Sequence, residues 1–242
     1  MEYFTLKIKI TDKCNRKCEF CVFNNNSRDM TLDELKRVVE IVKDVRFSKL
    51  HINGGEPLVH KNFLEITEYT KKRFPDKTFV LGTNAVLLDG NENLLTFVRD
   101  NYKEICIGCD DEHKNIDVLE RVIPILKQRE DIVVVVNSLI EYTSEDTFER
   151  INALKNKYGI IAVCNNVYHT KKGAPVNNLR KGLCKKQNSV IMIQENGDFY
   201  RCFNCCIPDD KEGSVYDPNF LSYIEQPRKT HFSVCPWCKC YE

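Results

Sequence analysis

The chain has 242 residues, 42% of them hydrophobic, and a net charge of +1, which leaves no global field favouring nucleic acid. At this length about 70–75% of the unfolded surface can be buried, so one main domain with a small appendage is expected. No apolar run approaches the roughly 20 residues of a membrane span, and Met1 to Phe4 carry no export signal, so a cytoplasmic protein with no membrane partner is expected.

Strand and helix patterns alternate through the first two thirds of the chain. Strands are predicted over Phe4–Ile10, Lys49–Ile52, Thr78–Gly82, Glu104–Gly108, Ile132–Ile140 and Ile160–Val163. Between the first two, Thr31 and Glu34 form a capping box opening a helix whose Leu35, Val38, Val39 and Val42 make one apolar face. Further helices are predicted over Asn62–Phe74, Glu92–Asn101, Ile116–Arg129 (interrupted by Pro124) and Ser144–Tyr158. Six such units imply a parallel sheet and suit a partial (β/α)6 barrel over residues 1–165, with its site at the C-terminal strand ends. A basic segment, 166–183, follows. His169 to Lys186 holds six Lys or Arg and no carboxylate, and reads either as a solvated loop or as a lid attracting an anionic substrate. In 184–242, Glu195-Asn196-Gly197 signals a hairpin between Ser189–Gln194 and Asp198–Arg201, and Phe220–Gln226 reads as a short helix.

Thirteen cysteines without a secretion signal point to metal binding or reactivity rather than disulfides. Cys14, Cys18 and Cys21 form a C-x3-C-x2-C run directly after the first strand. Three thiolates leave one iron of a [4Fe–4S] cluster without a protein ligand; a zinc site closed by four ligands is the competing reading. Gly54-Gly55-Glu56-Pro57 follows the second strand. The cysteine run and this Gly-Gly-Glu-Pro turn, in this order, resemble the radical S-adenosylmethionine (SAM) superfamily. The resemblance implies that Cys14, Cys18 and Cys21 hold a [4Fe–4S] cluster whose open iron binds SAM. It further implies reductive cleavage of SAM to a 5′-deoxyadenosyl radical that abstracts a substrate hydrogen atom, with electrons from a donor such as flavodoxin or ferredoxin. Phe20 matches the aromatic position flanking SAM, and Gly54, Gly55, Glu56 and Pro57 match the turn that holds its methionine amino group. Thr83, Asn84 and Asn137 fall where the superfamily places polar SAM contacts. The third strand ends Thr-Asn-Ala here, where the family pattern has Asn-Gly.

The C-terminal cysteines resemble the SPASM and twitch extensions of this superfamily. A single auxiliary [4Fe–4S] cluster on Cys184, Cys202, Cys235 and Cys238 is the better match, with zinc as the alternative and Cys205, Cys206 and Cys240 close enough to exchange with a ligand. Chain length and ligand spacing look like a radical SAM aminocyclitol dehydrogenase. That likeness implies two-electron oxidation of a sugar or cyclitol carbon in natural-product biosynthesis. The alternative is a maturase that epimerises or crosslinks a ribosomally made peptide. Asp110, Asp111 and His113, after the fourth strand, are candidates for taking a proton from a substrate radical, or else loop and cap residues. Cys109 or Cys164 could return a hydrogen atom. His51, inside the second strand, reads as a packed core histidine.

Overall fold

In the computed structural model, which describes residues 4–21, 28–165, 182–183, 190–201, 211–225 and 229–230, strands and helices follow in the predicted order. They are β1 (Phe4–Lys9), α1 (Leu32–Val42), β2 (Phe47–Asn53), α2 (Phe63–Arg73), β3 (Thr78–Thr83), α3 (Glu92–Asn101), β4 (Glu104–Gly108), α4 (Ile116–Leu126), β5 (Val133–Leu139), α5 (Glu145–Tyr158) and β6 (Ile161–Asn165). The capping box of α1 is formed: Thr31 Oγ1 accepts from the Glu34 N–H at 3.2 Å, and Glu34 accepts from the Thr31 N–H at 2.7 Å. Its four predicted apolar residues are buried. α4 ends at Leu126, two residues beyond Pro124, rather than at Arg129. β2 begins at Phe47 rather than Lys49, because Phe47 is fully buried and packs edge-on against Phe74 with ring centroids 5.1 Å apart.

β1 to β6 lie side by side in chain order and pair in parallel, the signature of repeated βα crossovers. Beyond β1 the same sheet continues through β8 (Val190–Ile193), parallel to β1, then β9 (Asp198–Tyr200) and β10 (Gly213–Ser214), both antiparallel. The hairpin foreseen at Asn196-Gly197 therefore shares a sheet with the barrel. A buried ion-pair group reinforces the joint. Lys9, at the end of β1, pairs with Asp12 and with Glu195 of the hairpin turn at 3.1 Å, all three nearly inaccessible. β7 (Gly182–Leu183) pairs with β11 (Lys229–Thr230), and α6 (Phe220–Glu225) matches the expected C-terminal helix. The rest of the expected linker, and Cys184, Cys202, Cys205, Cys206, Cys235, Cys238 and Cys240, lie outside the described residues.

Each strand turns alternate side chains to opposite faces. Leu6, Ile8, Leu50, Ile52, Leu81, Ile105 and Ile107 are buried in the apolar core. Lys7, His51, Glu104 and Cys106, at the alternate positions, line an interior cavity. Among the described residues no helix is long and apolar enough to cross a membrane.

Candidate functional site

The two motifs dock on each other at the C-terminal ends of β1 and β2. The Gly55 N–H donates to Thr11 O and the Glu56 N–H to Lys13 O, both at 2.8 Å. A Cβ on Gly54 would stand 2.7 Å from Thr11 O, and one on Gly55 would stand 2.4 Å from Lys13 O. Both are backbone contacts that cannot yield cheaply, so the paired glycines let the cysteine-bearing loop lie against the turn. From this loop Cys14, Cys18 and Cys21 all border a cavity of about 580 Å³. The Arg16 N–H donates to Cys14 Sγ at 3.3 Å, and the Cys21 N–H donates to Cys18 O at 3.1 Å. Among the described residues no three Cys, His, Asp or Glu side chains are gathered around a single ion position; the three thiols instead share a cavity wall.

The turn's other members divide their roles. Gly54 and Gly55 line the cavity, as do Thr83, Asn84 and Asn137, whereas Glu56 and Pro57 do not. Glu56 is fully buried and clamps β2 to β3. It accepts from the Leu58 N–H at 3.1 Å, Thr83 Oγ1 at 2.8 Å and the Asn84 N–H at 2.6 Å. Burial pushes its carboxyl up to about 7 in spite of these donors. Asn84 Nδ2 in turn donates to Asn15 Oδ1 at 2.7 Å, tying β3 to the cysteine loop. Ala85, in place of the family's glycine, takes φ 62°, ψ −3°, so the left-handed turn persists without its usual residue.

Of the proposed proton acceptors, only His113 lines the cavity. Its Nδ1 is 2.9 Å from Asp110 Oδ1, and its ring packs beside Phe20 with centroids 5.5 Å apart. Burial disfavours its charge, but hydrogen bonds to Asp110 and Cys18 prevail and raise its pKa to about 9. Asp111 is spent on capping α5: it accepts from the Ser144 N–H at 2.8 Å and Thr147 Oγ1 at 2.7 Å. Cys109 is fully buried in the apolar core and Cys164 is exposed; neither borders the cavity.

Sequence reasoning passed over several cavity residues. Phe20, itself a cavity residue, also packs on Tyr142 with ring centroids 5.1 Å apart. Deeper in the lumen stand Lys7, Glu104 and Cys106, together with His51, which the sequence placed in the packed core. Lys7, His51 and Glu104 share one level, since Lys7 pairs with His51, His51 with Val80, and Val80 with Glu104. Glu104 pairs with Lys49 at 2.5 Å. The Cys106 thiol faces Glu104 at 3.7 Å; burial and that carboxylate push it up to about 12, so it stays protonated. The signal was legible in Lys7 and Lys9 alternating with Leu6 and Ile8, because a lysine at every second position of an interior strand must face something other than the apolar core.

A family model described as "Radical SAM superfamily" matches residues 8–168. The chain belongs to the radical SAM superfamily. A GTP 3′,8-cyclase of Clostridium perfringens (strain SM101 / Type A) is 29% identical over 175 residues, covering 62% of this chain and 52% of that protein. One from Desulforamulus reducens is 35% identical over 88 residues, covering 34% of this chain and 27% of that protein. The chain thus spans about half, or less, of the curated relatives it matches. Among solved structures, BtrN in complex with AdoMet and 2-DOIA superposes with a TM-score of 0.62 at 16% identity, covering 93% of this chain and 83% of that one. SuiB of Streptococcus suis bound to S-adenosylmethionine gives 0.66 at 13% identity, covering 91% and 65%. These likenesses establish the shared fold.

The residues present fit the superfamily's cofactors. Three thiols on one short loop, facing a cavity, match a cluster with one iron left open. Asn53 Oδ1 is buried beside Gly54 without a hydrogen-bond partner, an acceptor suited to an amino group in the cavity that Asn53 lines. Cys14, Cys18 and Cys21 would hold the cluster, and Asn53, Gly54, Gly55, Asn84 and Asn137 would border SAM.

Proposed function

We propose that this radical SAM chain oxidises a carbinol carbon of a small polyhydroxylated substrate to a ketone. When bound, the cluster and SAM supply one-electron chemistry and the means of removing a hydrogen atom from carbon. The protein's own part is to hold the substrate in the lumen, orient it towards the mouth and exclude water. One observation carries this reading: the cavity bordered by Cys14, Cys18 and Cys21 runs down into a barrel interior lined by Lys7, His51 and Glu104. Hydrogen-bonding groups at that depth suit a compact polar molecule contained within the barrel. The fold shared with BtrN, solved with 2-DOIA, agrees with it. On this reading Cys184, Cys202, Cys235 and Cys238 would hold an auxiliary cluster, which would supply an acceptor for the second electron. A second reading, peptide maturation, draws on the fold shared with anSMEcpe, solved with AdoMet and a Cp18Cys peptide at a TM-score of 0.65 and 15% identity.

The test is anaerobic turnover with dithionite, SAM and a panel of polyols, sugar acids and sugar phosphates. The expected result is 5′-deoxyadenosine carrying deuterium from labelled substrate, with a product that has lost two hydrogens and gained a carbonyl. A protein that never forms 5′-deoxyadenosine would falsify the enzyme reading. A product of unchanged formula holding one solvent deuterium would replace dehydrogenation by epimerisation.

A further inference from the structure

Resting on the small-molecule reading above, we infer that His51 binds a hydroxyl group of the substrate through its Nε2, in the part of the lumen that Gly82 leaves open. The site selects its ligand by the position of that hydroxyl, so the class it takes is a polyol or sugar.

The nitrogen is unsatisfied and stands where a substrate would lie. His51 is 8% exposed, borders the cavity, and its Nε2 is buried without a hydrogen-bond partner. The residue pairs with Val80 on β3, yet its ring leans along the lumen towards Gly82, where a Cβ would come within 2.8 Å of Nε2. Gly82 is an ordinary strand residue, so its missing side chain serves space rather than backbone freedom. Cys106, which pairs with Gly82 on the next strand, borders the same cavity. His51 precedes Asn53 by two positions on β2, about 7 Å of strand, so Nε2 lies on the floor side of the turn that would border SAM. The second torsion of a histidine is soft. A modest turn of the ring presents Nε2 to the cavity, and a hydroxyl placed there satisfies it.

The chemistry of the ring decides the group it takes. Burial, helped by the Lys7 and Lys49 ammonium groups, holds its pKa well below the usual histidine value, so His51 is neutral. A ring nitrogen of a neutral imidazole donates in one tautomer and accepts in the other. A hydroxyl matches both, because it can donate and accept as well. A carboxylate only accepts and an ammonium only donates. An analogue without the hydroxyl leaves a buried nitrogen unpaired, so a site of this kind rejects it more strongly than apolar contact could. A substrate held at Nε2 extends past Cys106 and presents its carbon framework to the cofactor end.

The test is calorimetric titration of the anaerobically reconstituted protein with myo-inositol, D-glucose and D-sorbitol. Saturable binding of at least one of them is expected. His51→Phe should weaken that polyol by about tenfold or more, while SAM affinity on the same samples stays within about twofold. His51→Gln, which keeps a group able to donate and accept, should recover part of the loss. Gly82→Ala removes no polar group, but its Cβ should push the ring aside and weaken the polyol as well; it serves should His51→Phe fail to fold. In protein carrying isotope-labelled histidine, the polyol should also shift the His51 Nε2 resonance, recognised as the one missing from His51→Gln. Unchanged polyol affinity in the folded variants, an unmoved Nε2 resonance, or a loss that falls on SAM instead would each overturn the His51 site and leave the polyol reading standing. A wild-type protein that binds no polyol saturably would overturn both.

Discussion

Glu56 shows what a single residue of a motif can do for the structure around it. It belongs to the Gly-Gly-Glu-Pro turn, and its carboxylate accepts from Leu58, Thr83 and Asn84 and braces two strand ends. Burial raises its pKa from 4.5 to about 7, with a definite consequence for stability. Between these values the native state binds the proton that the unfolded chain has released, so stability falls as pH rises from about 4.5 to about 7 and the loss is complete above that. The shift corresponds to about 3 kcal/mol. Urea denaturation of the SAM-free protein across this window should show the decline, and Glu56→Gln, which has no proton to lose, should flatten it. An equal pH slope in the variant would show that other groups carry it. His113 acts in the same direction over a higher range: its raised pKa of about 9 gives stability that is full below about 6.5 and is lost as pH rises from there through 9, overlapping only the top of the Glu56 window.

Among the elements, the joint between barrel and hairpin was the least legible. Asn196-Gly197 announced a hairpin, but nothing local says which strand it joins. β8 lies beside β1 because backbone hydrogen bonds and a buried charge group meet there, Lys9 with Asp12 and Glu195. Removing the cation would leave two carboxylates buried without it. Lys9→Met should therefore cost about 3–5 kcal/mol, measured by chemical denaturation. The loss should be local first, with hydrogen exchange accelerating at Val190–Ile193 more than in β4. Uniform acceleration across the sheet would mean that the ion group braces the whole barrel. By contrast α1 was readable to the residue, since its capping box and apolar spacing act within one helix.

For the whole molecule, the division of cysteines into two groups predicts iron content. Anaerobic reconstitution should load about eight irons, and the triple variant Cys14→Ala, Cys18→Ala, Cys21→Ala should retain about four. A triple variant without iron would leave no auxiliary cluster, and zinc recovered with it would favour the zinc reading of the C-terminal cysteines. The remaining thiols sort by position. Cys109 belongs to the core, Cys164 to the surface, and Cys106 to the lumen, held as the protonated thiol. Sequence order cannot make this distinction, because Cys106 and Cys109 differ by only three positions. The cavity side was decided by strand alternation and by where β4 ends.

By itself the sequence determined the alternation of strands and helices, the cysteine run, the glycine turn and hence the superfamily, because these depend on neighbours a few residues apart. Only the tertiary structure decided what shares the lumen. It separated His113, at the mouth, from Asp111, which caps α5, and brought together Lys7, His51 and Glu104 from three different strands. Such meetings depend on strand order and register, which are set by packing between distant segments. The floor of the barrel therefore came from the fold, while the identity of its mouth was already written in Cys14, Cys18 and Cys21.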